Sequence, residues 1–108
     1  MGREWVYYDT KPRILCEMYL EDSEKKDLID YKFVCFNGKV EYIFVNSERQ
    51  SKNGVSFGIY DSKFKKLSYK RQGLRNTLDS ITKPNNYEDM IKIAECLAEE
   101  FPHVRVDL

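Results

Sequence analysis

Short strand-like apolar runs separated by polar loops fill the first two thirds of this chain. Apolar positions switch to helical spacing near residue 87 and to alternation at the end. Residues 13–20 (RILCEMYL) are the first apolar run and predict a largely buried strand, set off from a mixed opening segment by Pro12. A solvated loop (EDSEKKD, 21–27) follows. The strongest local signal comes next. Residues 30–36 (DYKFVCF) and 39–45 are rich in aromatic and β-branched residues and flank Asn37-Gly38, the preferred two-residue hairpin turn. Residues 55–60 and 66–69 predict a second hairpin, and 70–84 read as a loop ending at Pro84.

The helix is expected to start at a cap supplied by Asn85 or Asn86, with Glu88 and Asp89 at its positive end. Met90, Ile93, Ala94, Leu97 and Phe101 recur at helical spacing and predict one apolar stripe, which Pro102 terminates. The closing HVRVDL reads as a strand that presents Arg105 and Asp107 on one face. The order β-β-β-(β-β)-α-β implies an α+β fold, a mostly antiparallel sheet with one long amphipathic helix. Residues 1–108 form a single small domain or a piece of a larger one. A pattern that begins in mid-course and stops on a strand carrying suggestive side chains favours the piece.

Composition narrows the function classes. The 18 basic and 18 acidic residues cancel, which argues against wholesale attraction to nucleic acid or an anionic membrane. Aromatic residues make up 14% of the chain, enough for a packed core rather than disorder. The three cysteines, Cys16, Cys35 and Cys96, are odd in number, lack CxxC spacing and lie in apolar or amphipathic segments, so they read as reduced and buried. A single histidine, His103, argues against zinc. Without a signal peptide or membrane-spanning run, a soluble cytoplasmic protein is expected.

Several side chains invite chemistry. A guanidinium beside a carboxylate, Arg105 with Asp107, suits a phosphate plus a divalent cation; the simpler reading is a surface ion pair on an edge strand. Asp30 and Lys32 alternate along one strand face, where they can meet a hydroxyl and a phosphate, or each other. The strand end Glu17, Met18, Tyr19 and Leu20 offers backbone groups to a purine edge, or to ordinary sheet pairing. No glycine-rich phosphate loop and no Ser/His/Asp set is present. The lysines of 63–71 read as a solvated hairpin.

Three blocks, REWVYYDTKPRILCEMYLED, DLIDYKFVCFNGKVEYI and NYEDMIKIAECLAEEFPHVRVDL, together resemble the TupA-like ATP-grasp proteins. That family is associated with bacterial surface-polysaccharide and teichuronopeptide synthesis and is often found beside glycosyltransferases. The resemblance covers nearly the whole chain and is weakest over residues 50–80. It implies part of an ATP-grasp C-terminal lobe and a ligase that joins a carboxylate to an amine through an acyl-phosphate, with ATP and Mg²⁺ as cofactors.

By the same resemblance, Glu17, Met18, Tyr19 and Leu20 are the hinge that reads adenine. Asp30 binds ribose, Lys32 faces phosphate, Arg105 contacts the transferring phosphate and Asp107 is the first metal carboxylate. The family also expects a second metal-binding acidic residue and an asparagine after Asp107, and an upstream lobe with a phosphate-binding lysine. Since the 108 residues hold none of these, the isolated chain is expected to be inactive. The implied partners are a nucleotide and a small-molecule or glycan-precursor substrate. The alternative is a non-catalytic α+β binding module that oligomerises, a homodimer through its terminal strand edge, or a glycosyltransferase-associated protein, although no DxD motif is present.

Overall fold

The hairpin forms as its turn chemistry requires. β1 (Asp30–Phe36) and β2 (Lys39–Ser47) pair antiparallel around Asn37 and Gly38, whose φ values of 48° and 75° are those of a type I′ turn. The computed structural model describes residues 8–18, 20, 28–47, 56–69, 75–76 (backbone alone) and 81–108. β3 (Ser56–Asp61) pairs antiparallel with β2, and β4 (Arg75–Asn76) adds a two-residue parallel contact to β3. After the helix α1 (Tyr87–Ala98), β5 (His103–Asp107) returns antiparallel along β1. The sheet order is β4-β3-β2-β1-β5, with α1 on one face.

The β1–β2 register slips once. Val34 faces Tyr42 and Cys35 faces Val40, so Glu41 has no partner and forms a β-bulge. The bulge lets Val40, Ile43 and Val45 all face the helix although their spacing is three, then two. They join Phe33 and Cys35 of β1, Tyr60 of β3, Val106 of β5 and Tyr87, Met90, Ala94 and Ala98 of α1 in the core. Ala94 and Ala98 are fully buried, and their small side chains let the helix lie close on the sheet. The Cys35 thiol donates to the Ala94 carbonyl at 4.0 Å, and burial pushes its pKa up, aided by Glu95. It stays a protonated packing group.

Both ends of α1 are tied to the sheet. The Tyr87 hydroxyl donates to the Ser62 carbonyl at 2.9 Å, and burial, then Glu88 and Asp61, pushes its pKa up to about 12. Its ring meets Phe64 edge-on at 5.1 Å, and Phe64 stacks on Tyr60 at 4.6 Å. Phe64 holds φ 63°, a strained setting for a bulky residue that this ring packing offsets. At the other end Asn37 N–H donates to the Pro102 carbonyl at 3.0 Å.

Six sequence expectations change. Residues 10–18 carry neither strand nor helix, and Ile14 and Leu15 are 94% and 80% exposed, so the buried strand expected over 13–20 is not formed over its described residues 13–18. The second hairpin returns through a single bridge, Tyr60 to Lys66, because Asp61 folds the connection on itself by accepting from Lys63 and Lys65 N–H. The 70–84 loop contains β4. Asn86 sits at the N-cap but makes no side-chain capping bond. Cys16 and Cys96 are exposed and Cys35 alone is buried, all three free.

The helix also buries a different stripe. Tyr87, Met90, Ala94 and Ala98 face the core, while Ile93, Leu97 and Phe101 are at least half exposed.

Gly38 carries the turn and the helix contact together. Besides its positive φ, a Cβ there would meet Glu99 Cα at 3.4 Å. Gly38→Ala should lower unfolding free energy by about 1–2 kcal/mol, and Gly38→Asn by less because asparagine tolerates this backbone region. Urea unfolding checks both, and equal losses would mean that the Glu99 contact dominates.

Candidate functional site

The sheet face turned away from α1 is built by the other half of each alternation. β1 contributes Asp30, Lys32, Val34 and Phe36, β5 contributes His103, Arg105 and Asp107, and β2 contributes Tyr42 and Phe44. Lys32 stands directly between Asp107 on β5 and Phe44 on β2, and Val34 between Arg105 and Tyr42. Charged and aromatic side chains therefore share one surface in adjoining rows.

The charged row is a connected network. Lys32 Nζ lies 2.8 Å from Asp107 Oδ2 and 2.9 Å from Asp30 Oδ2. Arg105 donates to the same carboxylate in a fork, Nε to Asp107 Oδ1 at 2.7 Å and Nη2 to Oδ2 at 3.0 Å. The side chains of Lys32 and Asp30 are largely covered, whereas those of Asp107 and Arg105 are 40% and 52% exposed. The open end of the network is thus the Arg105–Asp107 pair. Beside it runs an aromatic row with ring separations of 4.7 Å (His103–Phe36), 6.3 Å (Phe36–Tyr42), 5.4 Å (Tyr42–Phe44) and 5.5 Å (Phe44–Phe57).

Of the residues singled out from sequence, Asp30, Lys32, Arg105 and Asp107 meet on this face, with Lys32 and Arg105 joined through Asp107. Glu17, Met18 and Leu20 stand exposed in the segment that lacks strand structure. No hydrogen bond or ion pair among the described residues joins them to the cluster. Tyr19 lies outside the described residues. The aromatic row went unseen in the sequence because the bulge at Glu41 decides which way Tyr42 and Phe44 point. A count of apolar alternation that broke at Val40 and resumed at Ile43 was its one signal. Among the described residues no group of three His, Cys, Asp or Glu side chains is placed to hold a metal ion. A Mg²⁺ ion at Asp107 would rest on that carboxylate with phosphate oxygens and water completing its shell, the way this ion is commonly held.

Electrostatics bind β5 to β1 here. Burial pushes the Asp107 carboxyl up, but the hydrogen bonds from Arg105 and Lys32 outweigh it and hold its pKa below the ordinary 3.8. Burial pulls Lys32 down, yet its bonds to Asp107 and Asp30 leave it above 10.5. A depressed carboxylate contributes stability above its unfolded pKa and loses it as pH falls through the folded value. A raised lysine contributes below its ordinary pKa and loses it as pH rises through the folded value. Melting temperature should therefore hold from about pH 5 to about pH 9 and fall on either side. Asp107→Asn should lower the plateau and flatten the acid limb in a calorimetric pH series. An acid limb unchanged by this substitution would assign it to other carboxylates.

The TupA-like ATPgrasp family model matches residues 1–108, the whole chain. No curated protein and no solved structure matches it. No helix among the described residues is long and apolar enough to cross a membrane. The family implies use of ATP and Mg²⁺ in general. The chain belongs to the TupA-like ATPgrasp family.

Proposed function

We propose that the open sheet face is a nucleotide-binding surface of an ATP-dependent carboxylate–amine ligase that serves bacterial surface-polysaccharide or teichuronopeptide synthesis in the cytoplasm. The observation that carries the nucleotide reading is the adjacency of Lys32 and Phe44 across β1 and β2, with Arg105 two residues from Asp107 on the strand beside them. Aromatic rings stack nucleobases irrespective of sequence, and a guanidinium and an ammonium hold phosphate oxygens. In this reading Arg105 and Lys32 take the phosphates, Asp30 a ribose hydroxyl and Asp107 a Mg²⁺ ion. Backbone groups at Glu17, Met18, Tyr19 and Leu20 face the purine edge. The polysaccharide substrate class rests on the family alone.

The bound metal would neutralise phosphate charge. The chain's own cations must first exchange carboxylate partners for phosphate, because Asp107 now holds both. That mutual neutralisation favours a second reading, in which the cluster is a structural clamp and the chain a non-catalytic α+β binding module.

Calorimetric titration with ATP and Mg²⁺ separates the two. The nucleotide reading expects submillimolar binding, weakened about tenfold or more by Lys32→Met and by Phe44→Ala, each loss worth about 1.4 kcal/mol. Both variants should keep the native circular dichroism spectrum. Binding that is absent, or unchanged in both variants, sinks it.

A further inference from the structure

The Arg105 guanidinium already holds a phosphate-like ligand. Its Nε donates to Asp107 Oδ1 at 2.7 Å and its Nη2 to Oδ2 at 3.0 Å, the two-point geometry that a guanidinium offers to two phosphate oxygens. Both residues stand on β5 two positions apart, so the fork forms within one strand and needs no neighbouring element. It is also the open end of the charged row, its side chains 52% and 40% exposed.

The two cations of the row are not equally committed to Asp107. Lys32 Nζ bridges the Asp30 carboxylate as well, 3.1 Å from Oδ1 and 2.9 Å from Oδ2. With Asp107 drawn away, Lys32 keeps a counter-ion at a covered position. Arg105 has no second hydrogen bond or ion pair among the described residues. Loss of Asp107 therefore exposes one positive charge, and that charge is on Arg105. Asp107 itself accepts from three donor atoms on its two oxygens. A divalent cation on the same carboxylate repels the guanidinium at close range, so metal ligation and the fork oppose each other.

We propose that Asp107 is a built-in competitor for the phosphate position on Arg105, and that ligation of a divalent cation by this carboxylate hands Arg105 to the phosphate. The inference rests on the nucleotide reading of the face and adds a selection to it. Polyphosphate that arrives with its metal is admitted, whereas metal-free polyphosphate meets a guanidinium that is already filled. Lys32, with Asp30 beside it, is the fixed contact and Arg105 the switched one.

Calorimetric titration of the full chain with inorganic triphosphate in EDTA separates the competitor from ring and ribose contacts. Asp107→Asn, its fold checked by circular dichroism, should bind triphosphate at least about tenfold more tightly than the unaltered chain. In the Asp107→Asn background, Arg105→Gln should abolish that gain and Lys32→Met should preserve it. Asp30→Asn removes the same charge but leaves the fork in place, and should gain less. With ATP, Mg²⁺ should tighten binding to the unaltered chain at least about tenfold and to Asp107→Asn far less. The Arg105 Nε–H resonance of the unaltered chain needs no variant: it should shift on addition of ATP with Mg²⁺ and stay in place with ATP in EDTA. No gain from Asp107→Asn, a gain that survives Arg105→Gln, or an equal gain from Asp30→Asn overturns the inference. If Asp107→Asn does not fold, an Nε–H shift that is the same with and without metal overturns it. Failure of the nucleotide reading looks different: the triphosphate gain is present, but the unaltered chain binds no ATP in Mg²⁺.

Discussion

One unpaired residue, Glu41, governs what each face of this sheet is made of. A strand alternates its side chains, so a single extra residue reverses the facing of everything beyond it. Before the bulge, Val40 packs on the helix. Beyond it, Ile43 and Val45 do so, and Tyr42 and Phe44 turn outward. Without the slip, continued pairing from the Asn37-Gly38 turn would place Tyr42 opposite Phe33 and drive its ring under α1 beside that of Phe33. That space is shaped for the close approach of Ala94 and Ala98, which two aromatic rings would prevent. The bulge therefore fits the core to the helix and furnishes the open face with rings through the same displacement.

The helix-facing layer is specified by size as much as by polarity. Alanines at 94 and 98 bring α1 down onto Cys35, Gly38 admits the end of the helix beside the turn, and the Tyr87 hydroxyl anchors the beginning. Because α1 is fixed at both ends, its lateral position is fixed too. Glu95 reaches over β2, and Leu97 on the opposite flank is 58% exposed.

The hairpin, the helix and the closing strand were legible because each rests on local chemistry: a turn dipeptide, a 3.6-residue period, a proline stop. Period-two spacing sets Asp30 beside Lys32 and Arg105 beside Asp107 in any register, but it is the β1–β5 register that brings the two pairs to one face. The helix stripe was misjudged because Ile93 and Leu97 count as core by hydropathy, whereas Tyr87 and Ala98, which are buried, look respectively polar-tipped and small. Burial was decided by which flank the sheet supports, a non-local matter. The apolar run at 13–20 failed for a related reason: hydrophobicity alone supplies no pairing partner, and Ile14 and Leu15 found none among the described residues. The bulge has no composition of its own and could be inferred only from the broken count after Val40.

The charge cluster carries a consequence for selectivity. Two cations and two carboxylates that neutralise one another present little net field at long range, so steering of a charged ligand from solution is weak. A phosphate gains at this surface only by displacing Asp107 from Arg105, trading one charge-assisted fork for another. The net gain from phosphate alone is therefore small, and a phosphate-bearing ligand must draw the remainder from contacts elsewhere on the face. The aromatic row beginning at Phe44 supplies such contacts within one strand spacing. On the proposed nucleotide reading, discrimination would fall on ligands that carry both an anion and a flat ring, and inorganic phosphate, which has the charge without the ring, would compete poorly.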